Sequence, residues 1–260
     1  MSEKTKDTVA GIITVLVVVV LWHLFSVTGV FGKFDSKLAQ LIIPSPISVG
    51  EKMLEMIMSG YLLESVWTSL QRVISGFLIS VLIGIPIGII MGVSKNACRF
   101  IYPIFKIIAP IPGVAWIPLA IIWFGLGNRA AIFIIAASAI TPIVINTMQG
   151  VSGIDKNLED LLHTFHANIW QKIIYMIIPS VIPYMITGFK LGLGYAWRVV
   201  IAAEMVGVPG GLGYVLSLGR STAQTEITFI IIIVLSLLLV IMEKCLFTPL
   251  EYLTEKWKYK

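Results

Sequence analysis

Six stretches of this chain, at 9–31, 65–93, 102–126, 130–151, 184–206 and 227–247, are apolar almost throughout. Each is close to the roughly 20 residues a helix needs to cross the hydrocarbon core of a bilayer. A backbone in lipid finds no water to bond, so only helices and closed barrels can span it. These runs are continuous and do not alternate, which predicts an all-α polytopic membrane protein with six transmembrane helices in a single transmembrane domain, 1–260. Composition agrees: 57% of residues are hydrophobic and only 13% charged, too little charge to solvate a soluble domain of 260 residues. The first run follows the charged head MSEKTKD. It is too long for a signal-peptide core and no small-x-small cleavage site follows it, so it is expected to be retained as a span.

The connections carry most of the information. In the external segment, 32–64, Pro46 suits a first helical turn with Ser45 as its cap, and Ser48 with Glu51 forms an S-x-x-E capping-box pattern. Val49, Met53, Met56 and Ile57 repeat at helical spacing, which predicts a short amphipathic helix. In the second run, Gly84, Gly88 and Gly92 lie four apart, and in the fifth Gly188 and Gly192 do the same. Small residues at that interval make a flat stripe that lets another helix approach closely. Arg72 lies near the outer end of its run, where its side chain is expected to snorkel outward. A basic turn over 94–106 precedes the third run. Pro110, Pro112 and Pro118 are expected to bend or break that run, and a kink is expected at Pro142. The segment 152–183 is the longest polar interruption of the second half. It reads as an amphipathic helix, a break, and a second helix stopped by Pro179 and Pro183. Lys and Arg are concentrated at the amino end, in the second and fourth loops and in the carboxyl tail. That bias predicts that both termini and the 152–183 loop face the cytoplasm.

Several function classes drop out. There is no G-x-x-x-x-G-K-[ST], so the chain has no P-loop. The G-x-G pairs beginning at Gly125, Gly192 and Gly211 follow no strand and are turn or packing glycines. No Ser-His-Asp or paired-carboxylate arrangement is legible, so no catalytic residue is assigned. His163 and His166 are three apart but have no further ligand beside them, so no metal is expected. Cys98 and Cys245 have no metal-type spacing and are expected to be free thiols. The net charge of +5 reads as membrane topology, and nucleic-acid binding is not expected. In the 152–183 loop, Leu158, Leu161, Leu162 and Phe165 fall on one side of a helix and would fit a groove in a partner; the alternative is a helix lying among lipid headgroups. Glu159 and Asp160 sit near its start, where the helix dipole favours them. Arg198 and Glu204 are the least expected residues within a span. Six apart on one helix, they do not face each other, so each needs a partner elsewhere. Arg198 either helps an anion cross or fixes helix packing through a salt bridge.

The order of motifs is that of a known family. A P-S-P helix is followed by a glycine-striped span, PIPGVAWIPLAIIWFGLG, a long loop, AWRVVIAAEM and GLGY. Over nearly the whole chain this order resembles the permease subunits of bacterial ATP-binding-cassette importers, in the nitrate/sulfonate/taurine/bicarbonate group. The resemblance places the family's EAA loop on Asp160-Leu161-Leu162, with His166 at the glycine place and Ile178-Pro179 at its end. Both alanines are leucine here, and the glycine is histidine. The resemblance implies a type I importer architecture acting as a homodimer. Its partners would be two cytoplasmic ABC ATPase subunits, which bind the ATP and magnesium, and an external solute-binding protein; no cofactor is expected in this chain. It further implies that Leu158, Glu159, Asp160, Leu161, Leu162, Phe165 and His166 couple to the ATPase. Trp116, Trp197, Arg198 and Glu204 become candidates for the pathway. The expected location is the cytoplasmic (inner) membrane of a prokaryote, and the expected solute is a small anion such as a sulfonate, nitrate or taurine. Import of a vitamin precursor or other heterocycle is the alternative within this architecture. An ion-gradient-driven carrier is the alternative outside it; there an internal repeat is expected, and none longer than GLGY, at Gly192 and Gly211, occurs.

Overall fold

The computed structural model describes residues 3–28 and 42–258, so the first part of the expected external segment lies outside the described residues. Among the described residues every regular element is helical. In chain order these are α1 (Glu3–Thr28), α2 (Pro46–Met58), α3 (Tyr61–Val93) and α4 (Lys95–Ile108), then a 3₁₀ turn (Gly113–Trp116) and α5 (Ile117–Phe124). There follow α6 (Asn128–Ser152), α7 (Lys156–Thr164), α8 (Ile169–Lys172), a π-helical turn (Ile173–Ile177) and α9 (Ile178–Val206), and finally α10 (Leu212–Ser221) and α11 (Thr225–Lys258). Five helices are long and apolar enough to cross a bilayer, and the bent pair Lys95–Ile108 with Gly113–Phe124 makes a sixth if taken as one span. The chain divides into two compact units, residues 1–65 with 215–234 and residues 66–214 with 235–260.

In the first unit, α1 exposes a run of Val and Leu side chains from Val15 to Leu21, as a lipid-facing helix does. Its far end is tied down. The Trp22 indole N–H donates to the Pro44 carbonyl at 3.0 Å, and the Ser26 hydroxyl donates to Ile43 at 2.9 Å. Trp22 also stacks on Phe229, with ring centroids 5.4 Å apart. Ser45 caps α2, its Oγ accepting the Ser48 N–H at 3.1 Å. The S-x-x-E pattern at Ser48 and Glu51 is therefore not the cap. The helix has already begun at Pro46, and Ser48 sits inside it, donating its hydroxyl back to the Ser45 carbonyl.

The second unit is built around α6. Helices α3 and α9 close on it from different sides through their glycines. A side-chain carbon at Gly88 would lie 2.6 Å from Thr147 Cβ and 2.8 Å from the Val144 carbonyl, and one at Gly84 would lie 2.9 Å from Ile143. Gly92 stands directly against Val151. On α9, a carbon at Gly188 would lie 3.1 Å from the Pro142 carbonyl, and one at Gly192 would lie 3.2 Å from the Ala139 carbonyl. The α3 stripe extends further back than its sequence pattern suggests. Gly76 faces Ile135, and Ser80 donates to the Ala136 carbonyl across the contact at 3.0 Å. Lipid tails are as apolar as leucine, so close dispersion contact and hydrogen bonds across the interface hold such helices together.

Local readings differ from the structure in two places. The basic stretch from Lys95 to Lys106 is helix. Ser94 caps α4 immediately after α3 ends, its Oγ accepting the Ala97 N–H at 3.2 Å. The helix that opens at Ile169 does not stop at Pro179 and Pro183. The π turn before them shifts the ladder by one residue, so that the Ile178 N–H bonds Ile173, five residues back. This wider turn accommodates Pro179, which has no N–H and would crowd the carbonyl four residues earlier in a regular helix. Helix α6 continues through Pro142, the site of the expected kink.

Replacing Gly88 with valine is expected to lower the stability of the purified protein by about 1–3 kcal/mol through overpacking, read as a drop in melting temperature. A side-chain carbon at Gly50 on α2 would meet nothing within 4 Å, and Gly50→Ala is expected to leave melting unchanged or raise it slightly.

Candidate functional site

Three local arrangements stand out in the second unit: a cavity at a broken helix, a buried ion pair, and an exposed apolar strip. The break lies between α4 and the 3₁₀ turn, where the helical path bends by 93°. Proline explains it. Pro110 and Pro112 have no N–H to continue the ladder, and Pro112 takes an extended conformation, φ −59°, ψ 136°. Gly113 follows, pressed against Ser138 of α6 and Val199 of α9 so closely that a side-chain carbon would collide with the serine hydroxyl.

Around this break is a cavity of about 540 Å³. The break itself forms one wall. The second wall is the α6 face carrying Ser138, Thr141 and Asn146, and the third is the α9 face carrying Leu191, Tyr195 and Arg198. Trp116 also lines it. Arg198 is the only charged residue among those lining the cavity. Its side chain is exposed, and among the described residues no ion pair or hydrogen bond engages it.

The four pathway candidates therefore part company. Trp116 and Arg198 line the cavity. Trp197, though adjacent to Arg198 in sequence, is 2% exposed and donates its indole N–H to the Leu235 carbonyl at 3.2 Å. Glu204 is sealed inside the unit, 1% exposed, and does not line this cavity. Its carboxylate receives the Arg72 guanidinium at 2.7 Å and the Gly213 N–H at 2.9 Å. The Ser69 hydroxyl lies 2.9 Å from both carboxylate oxygens and accepts the Leu212 N–H in turn. Arg72 does not snorkel outward. It is 4% exposed and spends its remaining donors on the Gly210, Pro209 and Asn128 oxygens, at 2.7, 2.6 and 2.8 Å. Glu204 thus finds its partner on α3 of the same chain, 132 residues earlier. The P-G-G-L-G turn makes this possible. Gly210 and Gly211 have φ of +74° and +94°, and a side chain at Gly211 would occupy the space of the Glu204 carboxylate.

The third arrangement is the segment from α7 to α8. Asp155 bonds the Asn157 N–H at 2.9 Å as the helix starts. Leu158, Leu161 and Phe165 are exposed, Phe165 by 74%. Leu162 instead turns inward onto the cluster of Val151, Met176, Ile177 and Val181. It anchors the helix, while its neighbours remain available. Asp160 and His166 are exposed, and the side chain of Glu159 lies outside what the structure describes. His166 takes the left-handed conformation, φ +53°, that a glycine would adopt there, and the Ala167 N–H closes the turn on the Leu162 carbonyl at 3.0 Å. A reciprocal capping box then starts the next helix. Asn168 and Gln171 exchange side chain and backbone, each bond 2.8 Å. The pattern N-x-x-Q was legible in the sequence and was missed there. Trp170 and Tyr175 extend the exposed apolar strip, at 72% and 70% exposure.

A helical fold with this many candidate spans, a broken helix and a cavity against it is that of a multi-pass membrane protein. Over residues 84–244 the chain matches the family described as the binding-protein-dependent transport system inner membrane component, and it belongs to that family. A putative ABC transporter permease of Methanocaldococcus jannaschii is 31% identical over 259 residues, covering 98% of this chain and 92% of the relative. The putative aliphatic sulfonates transport permease SsuC of Bacillus subtilis is 30% identical, covering 90% and 82%. The taurine transport system permease TauC of Escherichia coli is 28% identical, covering 79% and 77%. A chain of the MetNI methionine ABC transporter in an inward-facing conformation superposes with a TM-score of 0.62 at 20% identity, covering 76% of this chain and 97% of that one. That likeness shows the fold, a type I ABC importer permease. Permease subunits of this family are non-catalytic.

Two outcomes are expected. Glu204→Gln or Arg72→Met removes one member of a buried pair and strands the other, which is expected to cost about 3–5 kcal/mol; the double variant Arg72→Met/Glu204→Leu is expected to recover part of that loss in a melting experiment. His166→Gly is expected to melt at or above the parent temperature, whereas His166→Val is expected to melt lower, since a β-branched residue is strained at positive φ.

Proposed function

We propose that this chain is the membrane-spanning subunit of an ATP-driven importer for a small anionic solute. In this reading it works as a homodimer, with two ABC ATPase subunits on its cytoplasmic face and a solute-binding protein delivering cargo on the other. Both termini and α7 face the cytoplasm, in accord with the Lys and Arg bias of the loops. The chain carries no P-loop, so ATP and magnesium belong to the partner.

The observation that carries the reading is the strip of Leu161, Phe165 and Trp170, exposed by 53%, 74% and 72% on α7, the turn after it and the start of α8. Leu162 roots α7 in the core. Large apolar residues standing out from a rooted helix suit insertion into a groove of another protein. Glu159 and Asp160 fall within the same helix and are assigned to this contact, with Leu158 and His166 at its margins. The anionic solute rests on the sulfonate and taurine named for two of the relatives. Arg198, which has no counter-charge in the cavity, supports the same choice.

The test is co-purification and uptake. Leu161→Glu/Phe165→Glu is expected to be produced and inserted normally but to lose the ATPase subunit. Removing one buried aromatic anchor from an interface costs about 2 kcal/mol or more, a loss of association of roughly 30-fold. Uptake by this variant driven by an ion gradient, with no ATPase present, would reject the proposal.

A further inference from the structure

The cavity beside the broken helix has a composition that says more than "anion". Its walls are mostly aliphatic, from Ile111 and Val114 across to Ile145 and Leu191. Its side-chain polar groups are few: the hydroxyls of Ser138, Thr141 and Tyr195, the Asn146 amide, the Trp116 indole N–H and the Arg198 guanidinium. Two of these are partly committed, since Ser138 donates to the Ile134 carbonyl at 2.8 Å and the Asn146 amide N–H donates to Pro142 at 2.8 Å. No Asp or Glu lines the cavity. Its volume of about 540 Å³ lies within the usual range for a small-molecule site, roughly 300–1,000 Å³.

The charge is placed by helix geometry. Leu191, Tyr195, Arg198 and Val199 fall on one face of α9, so Arg198 points to the same side as the residues that form the wall. Trp197 points the other way and is buried. An arginine within a membrane span is costly unless it faces a partner or an aqueous cavity. Arg72 meets that requirement with Glu204 and three further oxygens. Arg198 has no such set among the described residues. Within the described residues of this chain the guanidinium lines the cavity as an unpaired cation.

Building on the importer reading above, we infer that Arg198 makes this cavity a transient binding station for organic monoanions with an apolar body, alkanesulfonates being the chemical class that fits. The guanidinium pairs with the sulfonate oxygens and the aliphatic walls take the tail. A zwitterion such as an amino-sulfonate is disfavoured, because its ammonium meets a cation and apolar walls with no carboxylate to pair with it. An ion as small as nitrate leaves most of the cavity to water and gains nothing from the walls. The station discriminates by charge at one end and by desolvation at the other.

The experiment reads the cavity directly, without transport. In the full-length chain carrying Cys98→Ser and Cys245→Ser, in phosphatidylcholine nanodiscs, Ser138→Cys serves as a reporter, with Tyr195→Cys as a second should the first fold poorly. The rate of modification by an anionic, sulfonate-bearing methanethiosulfonate is compared with that by a cationic one. The ratio is expected to favour the anion and to fall by about tenfold or more in Arg198→Gln, the scale on which one focused charge raises local counter-ion concentration; Arg198→Lys is expected to restore most of it. Butanesulfonate is expected to slow labelling at concentrations where taurine does not. An unchanged ratio in Arg198→Gln, or equal protection by taurine and butanesulfonate, overturns the assignment. If the labelling pattern holds while ATP-dependent uptake fails, the station stands and the importer reading alone falls.

Discussion

The Arg72–Glu204 pair is the constraint to which the second unit answers. A carboxylate and a guanidinium removed from water are each expensive, and their attraction compensates only when the remaining hydrogen-bonding positions are filled. Here the structure fills them. Ser69 and Gly213 complete the carboxylate, while Asn128, Pro209 and Gly210 complete the guanidinium. The cluster draws on α3, the start of α6, the end of α9, the turn after it and the start of α10. One polar cluster therefore fixes the ends of three long helices in register, and it does so only in one arrangement. Dispersion packing between helices is less particular. Sliding α3 by one turn would orphan both charges.

Below that cluster the same unit uses geometry in place of charge. The glycines of α3 and α9 bring two backbones onto α6, and the central helix has almost no freedom to rotate between them. Having rigid packing on two sides, the fold tolerates an interruption on the third. From Ala109 to Pro112 the N–H groups of Ala109 and Ile111 stay bonded to Phe105 and Ile108, but Pro110 and Pro112 donate none, and lipid cannot supply the donors that the helix ladder loses there. Irregular backbone at this depth belongs beside protein or a wet cavity, and the cavity of about 540 Å³ lies against it. Pro110 and Pro112 thus have a functional reading as well as a steric one. They keep a helix from filling the space that Arg198 faces.

Much of this was legible in sequence because it is local or periodic. The apolar runs gave the spans, and the four-residue spacing of Gly84, Gly88 and Gly92 gave a packing face. The prolines before Trp116 gave the break, and Ser45 gave a cap. What stayed hidden depended on contacts between distant residues or on the detailed course of the backbone. Nothing near Glu204 announces that its partner is Arg72, 132 positions earlier, and an isolated arginine near the end of an apolar run invites the snorkelling assignment. The π turn that carries a helix past Pro179 has no signature in Ile173–Ile177, a run of ordinary apolar residues. Helical spacing placed Leu162 with Leu158, Leu161 and Phe165, yet the packing turns Leu162 inward. Periodicity identifies a face but not which edge of it meets the core.

That inward turn of Leu162 has a mechanical consequence. Its contacts, Val151, Met176, Ile177 and Val181, belong to the last turn of α6 and to the first turns of the helix that becomes α9. Those two helices supply two of the cavity's three walls, including Ser138 and Arg198. A load applied to the exposed side of α7 therefore reaches α6 and α9 at their ends, through four packed side chains and no flexible link. The opposite ends of both helices are held by Asn128 and Glu204 in the ion-pair cluster. With one end held and the other end pushed, the natural response is a tilt or bend between them. The interval between them is where α6 carries Pro142, which removes a ladder hydrogen bond, and where the cavity leaves one side of each helix unpacked. The stretch of α6 that lines the cavity on one side is packed against Gly188 and Gly192 of α9 on another, so a tilt that changed the shape around Arg198 would have to carry those glycine contacts with it.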